Sequence, residues 1–152
     1  PRASRPAMVI SFNSPGEKYY GFVNTSPYKI YYNKRLYPTA EHLFQAFKFL
    51  SPRPGIAEHL RTIPDSMEAS REAARNSEYQ RDDWPEIETE RMEEVLYMKF
   101  TQHDDLRAEL VSTHPAQLVW ASPRDSYFGA GPNGKGRNEL GRLLMHVRDR
   151  LK

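Results

Sequence analysis

Lys99, Glu41 and Asp125 are side chains whose type and setting could serve chemistry, each with an ordinary structural reading beside it. Lys99 is the most informative. At about 100° per residue counted from Met92, Val95 falls at about 300°, Leu96 at about 40° and Lys99 at about 340°. If the segment is helical, the lysine therefore sits in the middle of an apolar stripe. An amine placed there can lay its stem on the core and pair its ammonium with a carboxylate, which the geometry alone favours. Otherwise desolvation removes its proton, and the neutral amine is the form that attacks a carbonyl or aldehyde-like carbon.

Glu41 falls in the first turn of a predicted helix, where unbonded N–H groups favour an anion. Gln45 and Lys48 follow at i+4 and i+7, making a polar row beside an apolar face. Such a row lines a cleft or faces water, and water is the ordinary expectation for charged faces. Asp125 precedes Tyr127, Phe128 and Gly129. It reads equally as an aspartate that turns a loop or as a carboxylate beside two rings able to sandwich a base. Gly129, Gly131, Gly134 and Gly136 would let backbone approach a ligand closely, and the helix after them could present N–H groups to a phosphate. No Lys-Ser/Thr follows the last glycine, so this is not a Walker loop. Trp84, beside Arg81, Asp82 and Asp83, is expected to act as a hydrophobic staple, with a stacking platform as the other reading.

These groups need elements to hold them. Tyr28–Tyr32 and Leu36–Tyr37 flank Asn33-Lys34 and predict a short β-hairpin, with Val9–Phe12 as an added edge strand. Thr39 can cap a helix over about 40–50, striped with Ala40, Leu43, Phe44 and Phe47. Pro52, Pro54 and Gly55 end it, and a short helix is expected near Ile56–Ile63. Asp65 and Glu68 make a capping-box pattern for a third helix that fades near Asn76. Pro85 suits the first position of a helix over about 85–102, and Asp104 or Asp105 caps a shorter one carrying Leu106, Leu110 and Val111. Leu118–Ala121 reads as a brief buried strand, and Leu140, Leu144, Val147 and Leu151 mark a last helix.

With 152 residues, 38% of them apolar and 12% aromatic, the chain can bury a core without disulfides or metals. Residues 1–8 are expected to be a trimmed or flexible segment and 9–152 a single domain. The absence of cysteine excludes thiolate nucleophiles and zinc–thiolate sites and suits a reducing compartment, so an intracellular place, cytoplasmic or nuclear, is expected. The five histidines show no metal-ligand spacing, so no metal and no cofactor are expected. No apolar run approaches the roughly 18 residues of a membrane span. A net charge of +2 is too small to argue for tight duplex binding.

Several long motifs in order resemble the YbiA/NADAR family over about Tyr19 to Arg148. They are Tyr37-Pro-Thr-Ala-Glu-His-Leu-Phe-Gln-Ala-Phe-Lys-Phe49, Arg81 to Trp84, Lys99-Phe-Thr-Gln-His103, Ser122-Pro-Arg-Asp125 and Gly134-Lys-Gly-Arg-Asn-Glu-Leu-Gly-Arg-Leu-Leu-Met145. The resemblance implies a helix-dominated α+β domain with a small antiparallel β-hairpin or sheet. It implies an N-glycosidase that cleaves between ribose C1 and an amino nitrogen. The substrate would be ADP-ribose on guanine, in a nucleotide or nucleic acid, or alternatively a phosphorylated ribosylamino-pyrimidine of riboflavin synthesis. Lys99, Glu41 and Asp125 would be catalytic. Gly21, Phe22, Asn24, Gln45, Arg81, Asp82, Trp84, His103, Tyr127, Phe128, Gly129 and Asn138 would bind substrate. No membrane partner is implied, and a monomer is favoured.

Two routes fit that chemistry. Lys99 engages C1 as a Schiff base while Glu41 or Asp125 moves protons, or water attacks directly with a carboxylate as base. A binding module that reads ADP-ribose without turning it over would lack a catalytic group, whereas all three are present.

Overall fold

The computed structural model describes residues 8–152. The expectation of a trimmed or flexible start thus falls, Met8 excepted, outside the described residues. The chain gathers into two compact units, one of residues up to Val23 together with Asp105–Lys152, the other Asn24–Asp104.

The central unit begins with a hairpin. Strands β2 (Ile30–Tyr32) and β3 (Arg35–Tyr37) pair antiparallel, with Ile30 opposite Tyr37. Asn33 and Lys34 both take positive φ, 49° and 65°, so the turn is of the type I′ kind that matches strand twist. Thr39 then caps α1 (Ala40–Phe47), its hydroxyl accepting from His42 N–H at 3.2 Å. The helix ends three residues before the expected 50. Lys48 and Phe49 N–H bond to the carbonyls three residues back, tightening the last turn to 3-10 geometry ahead of Pro52. Helix α2 covers Pro54–Thr62 and α3 Ser66–Arg75, the latter capped by Asp65 through Glu68 N–H at 2.9 Å. Helix α4 runs from Trp84 to Gln102, with Pro85 in its first turn. Helix α1 packs on α2, α3 and α4, and Leu43, Ala46, Phe47, Leu60, Val95 and Leu96 form the core between them. Buried Ala69 and Ala73 give α3 a flat face that lets it lie close.

In the other unit, β1 (Val9–Phe12) pairs with β4 (Gln117–Trp120) in parallel, Val9 opposite Gln117. The strand β1 has the expected bounds, but it pairs with β4 and adds nothing to the hairpin sheet, and parallel pairing with a segment so distant has no local signal. Along β4 Gln117 is exposed, Leu118 buried and Val119 and Trp120 half-buried, so the strand expected to be buried is only partly covered. Helix α5 (Asp104–Ser112) turns Leu106 and Leu110 inward. Helix α6 (Glu139–Leu151) lies along β4 with Leu140, Leu144, Val147 and Leu151 buried. The whole is a helix-rich α+β protein. Among the described residues no helix is long and apolar enough to cross a membrane.

Candidate active site

In the central unit the polar row of α1 does not face water, contrary to the expectation for charged faces. Gln45 is 7% exposed, and Glu41 and Lys48 are half-buried. The reason is that α3 packs over this side of α1. Glu41 Oε2 accepts from Gln45 Nε2 at 2.8 Å and from Ser70 Oγ of α3 at 3.0 Å. Burial raises the pKa of Glu41, while hydrogen bonds from Gln45, Ser70 and Asn24 and the charge of Lys48 oppose the rise. Asn24 also closes the helix start, its carbonyl accepting Glu41 N–H at 3.1 Å. Lys48 is itself pulled below the usual lysine range by burial, against the attraction of Glu41 and Glu88. A carboxyl group so placed holds its proton nearer neutrality than a solvated one, as an acid–base catalyst must.

Lys99 lies on the buried stripe of α4 with Met92, Val95 and Leu96, as the periodicity predicts. Its side chain has 0% exposure. The amine donates to Ser26 Oγ at 3.1 Å and sits 5.6 Å from the centre of the Tyr28 ring and 5.8 Å from that of Phe100. Burial lowers its pKa to about 7, so the neutral form is abundant near neutral pH. A hydroxyl and two aromatic rings thus lie beside the packed amine.

One short segment joins the two groups. Asn24 touches Glu41 by its backbone and donates through Nδ2 to Met92 Sδ at 3.1 Å, while Ser26 holds the Lys99 amine. Met92 and Lys99 are two turns apart on one face of α4, about 10 Å along its axis. The Oδ1 atom of Asn24 and the Oε1 atom of Gln45 are buried without a hydrogen-bond partner, an arrangement suited to accepting donors from a ligand.

The remaining expected residues of this unit brace it. Trp84 is buried, tilted against Phe44 at 5.2 Å between ring centres, with Nε1 donating to Glu88 at 3.0 Å and Lys48 5.8 Å from the ring centre. The indole is thus not the staple expected, since it is the first residue of α4 and packs on Phe44 of α1, where it walls the Lys48 side of the Glu41 group. Arg81 donates its backbone N–H to Lys48 O at 2.9 Å, closing the end of α1, and its guanidinium grips Asp83 at 2.6 and 3.1 Å. Asp82 is exposed. His103 donates from Nε2 to Lys29 O at 2.6 Å and meets the Tyr28 ring edge-on at 5.1 Å, fixing the ring that covers Lys99.

In the other unit the loop residues are bonded mainly to one another. Asp125 Oδ1 accepts from Tyr127 N–H at 2.9 Å and Phe128 N–H at 2.8 Å, the geometry of a loop-turning aspartate. The carbonyls of Ser126, Tyr127, Phe128 and Gly129 accept the N–H groups of Arg137, Glu139, Leu140 and Asn138, in that order, at the start of α6. That corrects the expectation of a phosphate seat there, because the donors are already used. The close approach that the glycines allow is likewise internal: a Cβ on Gly129 would lie 2.8 Å from Asp125 O, and one on Gly136 2.5 Å from Gly129 O. Asn138, at φ 53°, accepts Trp120 N–H at 2.9 Å and donates to Leu118 O at 2.9 Å, so its amide acts as a partner strand for β4. Tyr127 and Phe128 meet edge-on at 4.7 Å. Gly21 and Phe22 form a 3-10 turn, and Phe22 packs on Phe12 and Tyr19 in the core.

Within the central unit the structure brings Glu41, Asn24 and Gln45 together and ties Lys99 to the same segment. Ser70, Ser26 and Tyr28 complete these contacts and were not expected from sequence. The only local hint of Ser70 is its place beside Ala69 and Ala73 on a small-residue face.

Residues 11–152 match the family model of the NADAR domain. The chain is 38% identical over 143 residues to N-glycosidase YbiA of Escherichia coli (strain K12), covering 94% of this chain and 88% of that one. It is 35% identical over 150 residues to a riboflavin biosynthesis protein of Vibrio vulnificus (strain YJ016), covering 99% of this chain and 40% of that longer one. The NMR structure of the E. coli protein YbiA is similar with a TM-score of 0.87 at 37% identity, over 97% of this chain and 87% of that chain. The motifs that suggested the family, its model spanning both units and relatives matched over most of their length lead to one assignment: this chain belongs to the NADAR domain family.

Proposed function

We propose that this protein, an N-glycosidase, removes ADP-ribose from guanine by hydrolysing the bond between ribose C1 and the amino nitrogen. The observation that carries the reading is the Asn24–Ser26 segment, which touches at one end a carboxyl group whose pKa burial raises and at the other a buried amine. Breaking a C1–N bond requires a proton for the departing nitrogen and relief of positive charge at C1. Glu41 meets the first need. Its proton passes to the nitrogen as C1–N breaks, and the carboxylate then takes a proton from the water that adds to C1. Asn24 Oδ1 and Gln45 Oε1 are acceptors for the sugar hydroxyls beside it.

The complete burial of Lys99 favours this water route, because the amine reaches a sugar only if the segment over it moves. A second route is favoured by the pKa of about 7: the neutral amine attacks C1, the C1–N bond breaks as Glu41 protonates the departing nitrogen, ring opening gives the imine, and water hydrolyses it to free the sugar and the amine. Borohydride added during turnover separates them: a labelled Lys99 requires the imine, and unlabelled protein at full turnover rejects it. Lys99→Arg keeps a charge but forms no imine, so its activity serves as a second check.

Mild basicity, a net +2, tilts the choice toward the guanine substrate with its diphosphate, though it is too small to imply tight duplex binding. The name of the V. vulnificus relative supports the second substrate, a phosphorylated ribosylamino-pyrimidine. Offering each compound to wild type and Lys99→Ala decides. Release of ADP-ribose from an ADP-ribosylated guanine oligonucleotide is expected, and cleavage of the pyrimidine riboside alone would reverse the choice.

A further inference from the structure

Ser70 belongs to none of the sequence motifs, yet it completes the hydrogen bonding of Glu41. Its neighbours Ala69 and Ala73 are buried, and the small side chains of this face bring α3 near enough for a short serine to reach across. Ser70 Oγ donates to Glu41 Oε2 at 3.0 Å. Gln45 Nε2 donates to the same oxygen at 2.8 Å and to Ser70 Oγ at 3.2 Å. The two N–H bonds of the amide are thereby shared between carboxylate and hydroxyl. With its oxygen accepting from Gln45, the serine turns its own proton to the carboxylate. Gln45 Oε1 is buried and unbonded, so the amide is oriented by what its nitrogen donates. A carboxylate oxygen that already accepts two hydrogen bonds can take a proton only by turning a donor away.

We propose that Ser70 is a positioning residue: with Gln45 it holds Oε2 of Glu41 as acceptor, so that Glu41 carries its exchangeable proton on Oε1. This rests on the reading of Glu41 as proton donor and adds to it a direction, one end of the carboxyl group being anchored and the other reactive. The charge acting on Glu41 is Lys48 of its own helix, which Glu88 of α4 faces in turn. From α3 comes the uncharged Ser70 and from the preceding loop the uncharged Asn24. Toward α2 the helix turns His42, bonded to Ile63 O and Thr39 Oγ1.

The test is a carbon-13 NMR titration of the Glu41 carboxyl, assigned with Glu41→Gln, in wild type, Ser70→Ala and Ser70→Thr. Alanine favours a helix more than serine does, so Ser70→Ala is expected to fold. Losing a donor to the charged form should raise the Glu41 midpoint by about one pH unit in Ser70→Ala, with threonine restoring it. An unmoved midpoint in Ser70→Ala, or a shift that threonine leaves in place, overturns the proposal. In the rate profile on ADP-ribosylated guanine oligonucleotide, the limb belonging to Glu41 should move the same way with KM unchanged. If wild type cleaves neither candidate substrate, the functional reading fails while the titration still decides the role of Ser70.

Discussion

Glu41 and Asp125 are both carboxylates with one oxygen accepting two hydrogen bonds, but the donors differ in kind. At Asp125 they are consecutive backbone N–H groups, those of Tyr127 and Phe128, which cannot leave without unmaking the loop. At Glu41 they are the side chains of Gln45 and Ser70, in a half-buried place where desolvation raises the pKa. The first arrangement shapes backbone, and the second leaves side-chain donors around a carboxyl group whose pKa burial raises. Counting hydrogen bonds would not distinguish them; asking what gives them does.

The largest expected effect follows directly. Glu41→Gln should lower kcat on the cleaved riboside by about 10²–10⁴-fold with little change in melting temperature, whereas Asp125→Asn, which keeps an acceptor for both N–H groups, should lose less than about tenfold. Equal losses in the two variants would place Asp125 in the chemistry and end the contrast.

Lys99 extends the comparison to stability. The folded protein holds its amine at a pKa of about 7 against 10.5 ordinarily, so between those values the unfolded chain binds a proton that the folded one lacks. Stability contributed by this group therefore rises with pH across that window, by about 1.4 kcal/mol per pH unit. Urea midpoints from pH 7 to 10 should show the slope in wild type and a flatter one in Lys99→Met. A parallel slope in the variant would mean that the amine is solvated.

The smallest effects concern the braces. Asp125→Ala should cost about 1–2 kcal/mol by stranding two backbone donors. Asn138→Ala should cost a similar amount, about 1–2 kcal/mol, because Leu118 and Trp120 of β4 lose their partner. Gln102 does the same for β2, its amide bonding Tyr31 N–H at 2.7 Å and Tyr31 O at 2.8 Å, but it is exposed. Gln102→Ala should therefore cost less than about 0.5 kcal/mol, since water replaces it. Denaturant titration ranks the three.

Much of this could be read along the chain. The Thr39 and Asp65 caps, the Asn33-Lys34 turn and the inward face of Lys99 all follow from residue type and spacing. The burial of the Glu41–Gln45–Lys48 row did not, because a helix pattern describes one helix and not the neighbour packed over its polar side. The seat for a phosphate before α6 failed for a related reason: free donors at a helix start are free only until a loop folds back on them.

Caps, turns and apolar stripes act over a few residues, so their energies are largely written in local sequence. The parallel partner of β1, the hydroxyl that meets Lys99 and the serine that anchors Glu41 come from far along the chain, Ser70 lying 29 residues beyond its carboxylate. Which distant donor arrives depends on how helices cross and how small their touching faces are. That is a property of packing, and it is what turns an ordinary first-turn glutamate into a group that can hold and release a proton.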